Sequence, residues 1–135
     1  MSYVDSSMRR ERLAAANKRH KQAVEAVRDY AHLMQGEALL THQGSRLRGT
    51  AGIPDILCVF PYLCLGFFVE VKTGGATLTP AQEHVTAMLR ASGYEVIVGG
   101  LEEVSARVGA EIRARADKRQ AEMLKARSQE TGARR

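Results

Sequence analysis

Apolar residues recur along this chain in two rhythms. Residues 56–60 (ILCVF) and 67–72 (FFVEVK) are short runs of β-branched and aromatic side chains bounded by Pro or Gly, which predicts two strands. The residues between them, 61–66, are few enough to close an antiparallel hairpin. Residues 37–43 (EALLTHQ) and 94–98 predict two more strands. Elsewhere the rhythm is helical. Val24, Val27, Ala31 and Met34 form one apolar stripe from residue 21 onward, and Ala81, Val85, Met88 and Leu89 another over residues 80–92. The second helix carries its own punctuation: Thr79 as N-cap, Pro80 at the first helical position, Gln82 completing a capping box, and Gly93 as the stop. Leu101, Val104, Val108 and Ile112 lead into a charge-alternating stretch, residues 106–129, that reads as a third helix with a thinning apolar face. Residues 1–20 are polar and basic, and predict a loose arm or a helix that orders on binding.

The order of elements is thus αβββαβ with helical extensions at both ends. The crossover through residues 80–92 predicts a mixed sheet of about four strands flanked by helices.

Chemistry concentrates on the central hairpin. Asp55 precedes its first strand and Glu70 comes late in its second, so an antiparallel return brings the two together. Side chains alternate faces along a strand, so Glu70 and Lys72 share one face. Two close carboxylates repel unless a proton or cation relieves them. A hard divalent cation such as Mg²⁺ needs only one or two carboxylates together with waters and substrate phosphate. Asp55 and Glu70 are therefore candidate metal ligands, with the Val71 carbonyl a plausible third. Lys72 could orient an attacking water or neutralise charge on a phosphate. The competing reading is a surface ion pair between Glu70, Lys72 and a neighbour. Gln82 is explained by the capping box alone, or by the box together with contact to the site.

The loop before the hairpin, residues 44–52, contains three glycines and Ser45, Arg46 and Arg48. Backbone N–H groups and arginines bind phosphate oxygens, although an ordinary solvated connection has the same composition. Thr73, on the exit from the hairpin, suits either a nucleic-acid contact or a plain turn. His42 reads as structural or surface, and no His/Cys spacing resembles a zinc site.

The runs G-I-P-D (52–55), F-V-E-V-K (68–72), L-T-P-A-Q (78–82) and L-R-A-S-G-Y-E-V (89–96), in that order and with short gaps, resemble the VRR-NUC domain, a branch of the PD-(D/E)xK nuclease superfamily. The resemblance spans roughly residues 21–101. It implies a restriction-endonuclease-like α/β core with Asp55 and Glu70 as metal-binding acids, Lys72 as the catalytic lysine, and Gln82 as the glutamine that follows the active-site strand. It also implies an acid on the first helix, best matched by Glu25 and less well by Glu37. The activity implied is Mg²⁺- or Mn²⁺-dependent hydrolysis of DNA phosphodiesters, in a homodimer acting on structured DNA such as four-way junctions. The expected division is a basic arm (1–20), a nuclease domain (21–105) and a charged C-terminal helix and tail (106–135). The alternative is a nucleic-acid-binding subunit of the same fold that lacks cleavage or needs a partner for it. A purely structural oligomer leaves the P-D…E-V-K pattern unexplained.

Charge distribution fits a polyanionic partner. Residues 1–35 hold seven Lys/Arg against four acids, residues 101–135 nine against six, and residues 36–100 four against five. A near-neutral centre lies between basic ends, although mixed-charge helix faces account for much of the C-terminal part. No stretch suits a membrane span or a secretory leader. Cys58 and Cys64 read as buried, reduced thiols, which fits a cytoplasmic setting. No small-molecule cofactor is expected.

Overall fold

The computed structural model describes residues 3–41 and 51–134. Ser45, Arg46, Arg48 and His42 lie outside the described residues.

The first helix, α1 (Tyr3–Leu33), is continuous, so the basic residues read as an arm are its N-terminal half. Alanines and long unbranched side chains favour it throughout. Its inner face runs through Ala16, His20, Ala23, Val24, Val27, Ala31 and Met34, all buried or half-buried, at the spacing of one helical stripe. It ends with Gln35 in the left-handed region (φ 58°) and the Gly36 N–H donating to the Ala31 carbonyl at 2.8 Å. Gly36 cannot carry a side chain, because a Cβ there would press into the Phe60 ring and the Val59 carbonyl.

Four strands follow in the order β1 (Glu37–Leu40), β2 (Ile56–Phe60), β3 (Leu65–Val71) and β4 (Val96–Gly99), and they lie side by side in that same order. The first two pairings are antiparallel and β3–β4 is parallel. The sheet is therefore mixed and open, as the crossover requires. Ile56, Cys58 and Phe60 alternate with half-buried neighbours on β2, and Phe67, Val69 and Val71 with Phe68 on β3; the buried sets form the core together with Val27 and Ala31. Phe60 and Phe67 stack with centroids 5.9 Å apart. Helix α1 lies against β1, β2 and β3.

Between β2 and β3 a short 3-10 turn (Pro61–Leu63) ends on Cys64, whose backbone is left-handed. This position corrects the expectation of two buried thiols. Cys58 is buried, whereas Cys64 is exposed, and both are free.

Helix α2 (Pro80–Ala91) makes the expected capping box between Thr79 and Gln82. It ends in a Schellman motif: the Tyr94 N–H donates to the Leu89 carbonyl and the Gly93 N–H to the Arg90 carbonyl. That use of the Tyr94 N–H explains why β4 starts at Val96 rather than at residue 94. Helix α3 (Leu101–Ala133) opens with the Gly100 N–H donating to the Glu103 carboxylate at 2.8 Å. The chain divides into two compact units, Met1–Val104 and Ser105–Arg135. The second is the remainder of α3, held along its surface by Glu111, which pairs with both Arg107 and Arg115. Among the described residues, no helix is long and apolar enough to cross a membrane.

Candidate active site

The site forms where the β2–β3 ladder stops. The paired register ends with Ile56 opposite Val69; carried two residues further it would set Pro54 against Val71. Proline has no N–H to give the ladder, and the Pro54 carbonyl is taken by the Thr41 hydroxyl. Val71 therefore finds no backbone rung at this position. Its N–H donates instead to the Asp55 carboxylate, at 2.9 Å from Oδ2. The Asp55 backbone is fixed from the other side, since its carbonyl accepts from the Thr41 N–H at 3.0 Å. Along a strand, the N–H and C=O of one residue point the same way. The Val71 carbonyl therefore also faces the Asp55 side, away from β4, which takes its bonds from Phe68 and Lys72.

Glu70 and Lys72 lie on the face of β3 opposite Val69 and Val71. Glu70 is buried at 2% exposure, a costly place for a carboxylate unless it is well partnered. Gln82, in the first turn of α2, supplies one partner. Its Nε2 donates to Glu70 Oε1 at 2.8 Å. Its Oε1 accepts from Lys72 Nζ at 2.8 Å and from the Thr79 N–H at 2.9 Å. Lys72 Nζ is 3.8 Å from Glu70 Oε1. One amide thus closes the helix cap and ties the acid to the lysine, so both readings of Gln82 hold together. Gly52 makes this docking possible. It sits at φ 91°, and a Cβ there would overlap the Ala81 carbonyl at the start of α2.

Asp55, Glu70, Val71, Lys72, Thr73 and Gln82 line one open pocket of about 320 Å³. Its remaining wall includes Ala16, Asn17 and His20 of α1, which the sequence reading did not select. His20 Nε2 is 3.8 Å from Asp55 Oδ1. Glu25 and Glu37 are not in this pocket. They line a separate one with Arg28, Asp29 and His32. The helix geometry explains the difference: at roughly 100° per residue, His20 falls almost in line with buried Val27, whereas Glu25 points to nearly the opposite side.

The donor set suits a hard divalent cation in part. Among the described residues, no three His, Cys, Asp or Glu side chains converge into a ready-made metal cage. Two carboxylates and a carbonyl around an open pocket nevertheless meet the modest protein requirement of Mg²⁺, which keeps several of its waters. No protein-family model matches the chain, and no curated protein matches it significantly.

Proposed function

We propose that this protein is a metal-dependent endonuclease with a restriction-endonuclease-like core of the VRR-NUC type, hydrolysing phosphodiester bonds in structured DNA. The observation that carries the reading is the convergence of Asp55, Glu70, Lys72 and Gln82 on one pocket, from three separate segments of chain. A chance surface ion pair would not bury Glu70 or bind the lysine through a helix-capping glutamine.

Asp55 and Glu70, with the Val71 carbonyl, would hold Mg²⁺ or Mn²⁺. When bound, such an ion lowers the pKa of a coordinated water and stabilises charge on a phosphoryl oxygen. Lys72 is held by Gln82 with its ammonium at the pocket, where it orients the incoming water and neutralises charge on the scissile phosphate. Thr73 extends the same wall with a hydroxyl suited to a phosphate oxygen. Toward its N-terminus α1 continues beyond the pocket residues Ala16, Asn17 and His20, and exposed Arg9 falls within about 20° of the helical line that carries His20. A duplex leaving the site along this helix would meet Arg9, and phosphate contacts of this kind add affinity without sequence preference. A homodimer would present two such sites to a branched substrate, as the resemblance implies.

Cleavage of labelled linear duplex, single strand, flap and four-way junction with Mg²⁺, Mn²⁺ or EDTA tests the reading. Metal-dependent cutting by the wild type, lost in Asp55→Asn and in Lys72→Ala while DNA binding persists, is expected. Binding without cutting on every substrate would refute a stand-alone enzyme and favour the binding-subunit alternative.

A further inference from the structure

We infer that His20 is a metal ligand of this site, so that α1 contributes an imidazole rather than a carboxylate and the site prefers Mn²⁺ to Mg²⁺. The inference rests on the nuclease reading above and specifies its metal chemistry.

Three observations carry it. First, among the described residues, His20 is the only titratable side chain that α1 brings to the pocket; its neighbours there are Ala16 and Asn17. It occupies the inner stripe of the helix, so its position is set by the packing of Val27 and Ala31 against the core and not by surface chance.

Second, the two oxygens of Asp55 have different surroundings. Oδ2 is held by the Val71 N–H, which leaves Oδ1 turned toward His20. The gap of 3.8 Å between Oδ1 and His20 Nε2 is too long for a hydrogen bond. Two ligands of one cation, each bonded at about 2.0–2.2 Å, stand no more than roughly 4.4 Å apart. The gap is therefore one a cation can span.

Third, the acids of α1 that follow His20 in sequence, Glu25 and Asp29, line a different pocket. Glu25 therefore cannot supply the helix's ligand without a change of helix face. His20, Asp55 and Glu70 surround one open pocket without being clasped on one point, and the half-buried imidazole would close on a bound ion by a small side-chain movement.

The choice of metal follows from the donor. Mg²⁺ takes oxygen ligands almost exclusively, whereas imidazole suits the later transition metals and is accepted by Mn²⁺ more readily than by Mg²⁺. A nitrogen donor should therefore raise Mn²⁺ affinity and do little for Mg²⁺.

The test is electron paramagnetic resonance of Mn²⁺ added to the full chain, without DNA and without any activity readout. Wild type is expected to bind Mn²⁺ and to show nitrogen-14 modulation in the pulsed spectrum. His20→Ala and His20→Gln are expected to lose that modulation and to bind Mn²⁺ about tenfold more weakly or worse. Competition by Mg²⁺ should change less than about threefold. Circular dichroism of both variants checks that α1 is retained, and the wild-type spectrum does not depend on either variant folding. Bound Mn²⁺ with no nitrogen modulation, or modulation that survives both substitutions, would overturn the role of His20 and leave the Asp55–Glu70 site standing. No Mn²⁺ binding by wild type would overturn the metal site itself, and the nuclease reading with it.

Discussion

Replacing Gln82 with alanine removes three bonds made by one amide. Two involve charged partners, the Glu70 carboxylate and the Lys72 ammonium, both at 2.8 Å; the third caps α2 through the Thr79 N–H. Hydrogen bonds to charged groups contribute about 1.5–3 kcal/mol each, and the lower end applies to a partly exposed amide. A lost cap contribution adds about 0.5–1 kcal/mol. Part of this is recovered, because Lys72 Nζ stands only 3.8 Å from Glu70 Oε1 and can close directly onto it. A net loss of about 2–3 kcal/mol is expected, lowering Tm by on the order of 10 °C for a chain of this size. The assay is urea unfolding followed by circular dichroism in EDTA, so that no metal contributes. Thr79→Ala is the control, since it disturbs only the cap and should cost about 1 kcal/mol. Gln82→Glu keeps an acceptor for Lys72 and for the cap but sets a second carboxylate against Glu70, and should also destabilise. If Gln82→Ala proves no more harmful than Thr79→Ala, Gln82 does not stabilise the buried acid and the account of the site is wrong.

Further outcomes follow from two titrating groups. Burial pushes the Cys58 thiol up to about 12 from its ordinary 9.0, so the folded thiolate fraction at pH 8 is on the order of 10⁻⁴. A thiol reagent should label only exposed Cys64 in the native protein and both cysteines after denaturation; native labelling of Cys58 would contradict its packing. Because the folded pKa is the higher one, the contribution of Cys58 to stability is complete below pH 9 and is lost as pH rises toward 12, which a Cys58→Ala comparison across that range would detect. The Glu103 carboxyl is held below the usual carboxylate value by the Gly100 N–H. Its contribution is present above pH 4.5 and disappears as pH falls through the lowered value. The advantage of wild type over Glu103→Gln in urea unfolding should therefore shrink between pH 5 and pH 3, and an advantage independent of pH would exclude the carboxylate as the cause.

The strands, the hairpin and the capped α2 were legible because each depends on neighbours in sequence. Thr79, Pro80 and Gln82 specify a helix start within four residues, and Gly93 with Tyr94 its end. The contribution of α1 to the site was not legible in the same way. Glu25 has the right chemistry and lies among the apolar positions that define the helix, but it is about 200° around the axis from Val27. Continuing the stripe toward the N-terminus from Val24 and Val27 leads to His20 and then Ala16. That signal was available, but His20 lies one turn beyond the apolar run that draws the eye. Cys64 was misjudged because Leu63 and Leu65 beside it are buried while the turn itself rotates the thiol outward. The second role of Gln82 lay outside any local pattern, since it depends on Gly52 letting α2 approach the end of the ladder.

On the nuclease reading proposed above, the missing rung at Pro54 separates what holds the fold from what would perform the chemistry. The Thr41 bonds hold the Pro54 and Asp55 carbonyls from the β1 side, so this stretch of backbone does not depend on a negative charge at position 55. An asparagine there could still accept the Val71 N–H while giving up its negative charge. On the proposed nuclease reading, cutting and folding could then part in a single nucleotide change. If the chain cuts DNA as proposed, its descendants could keep the scaffold for recognition after losing the ability to cut, and silent binders beside active forms would be easy for selection to produce.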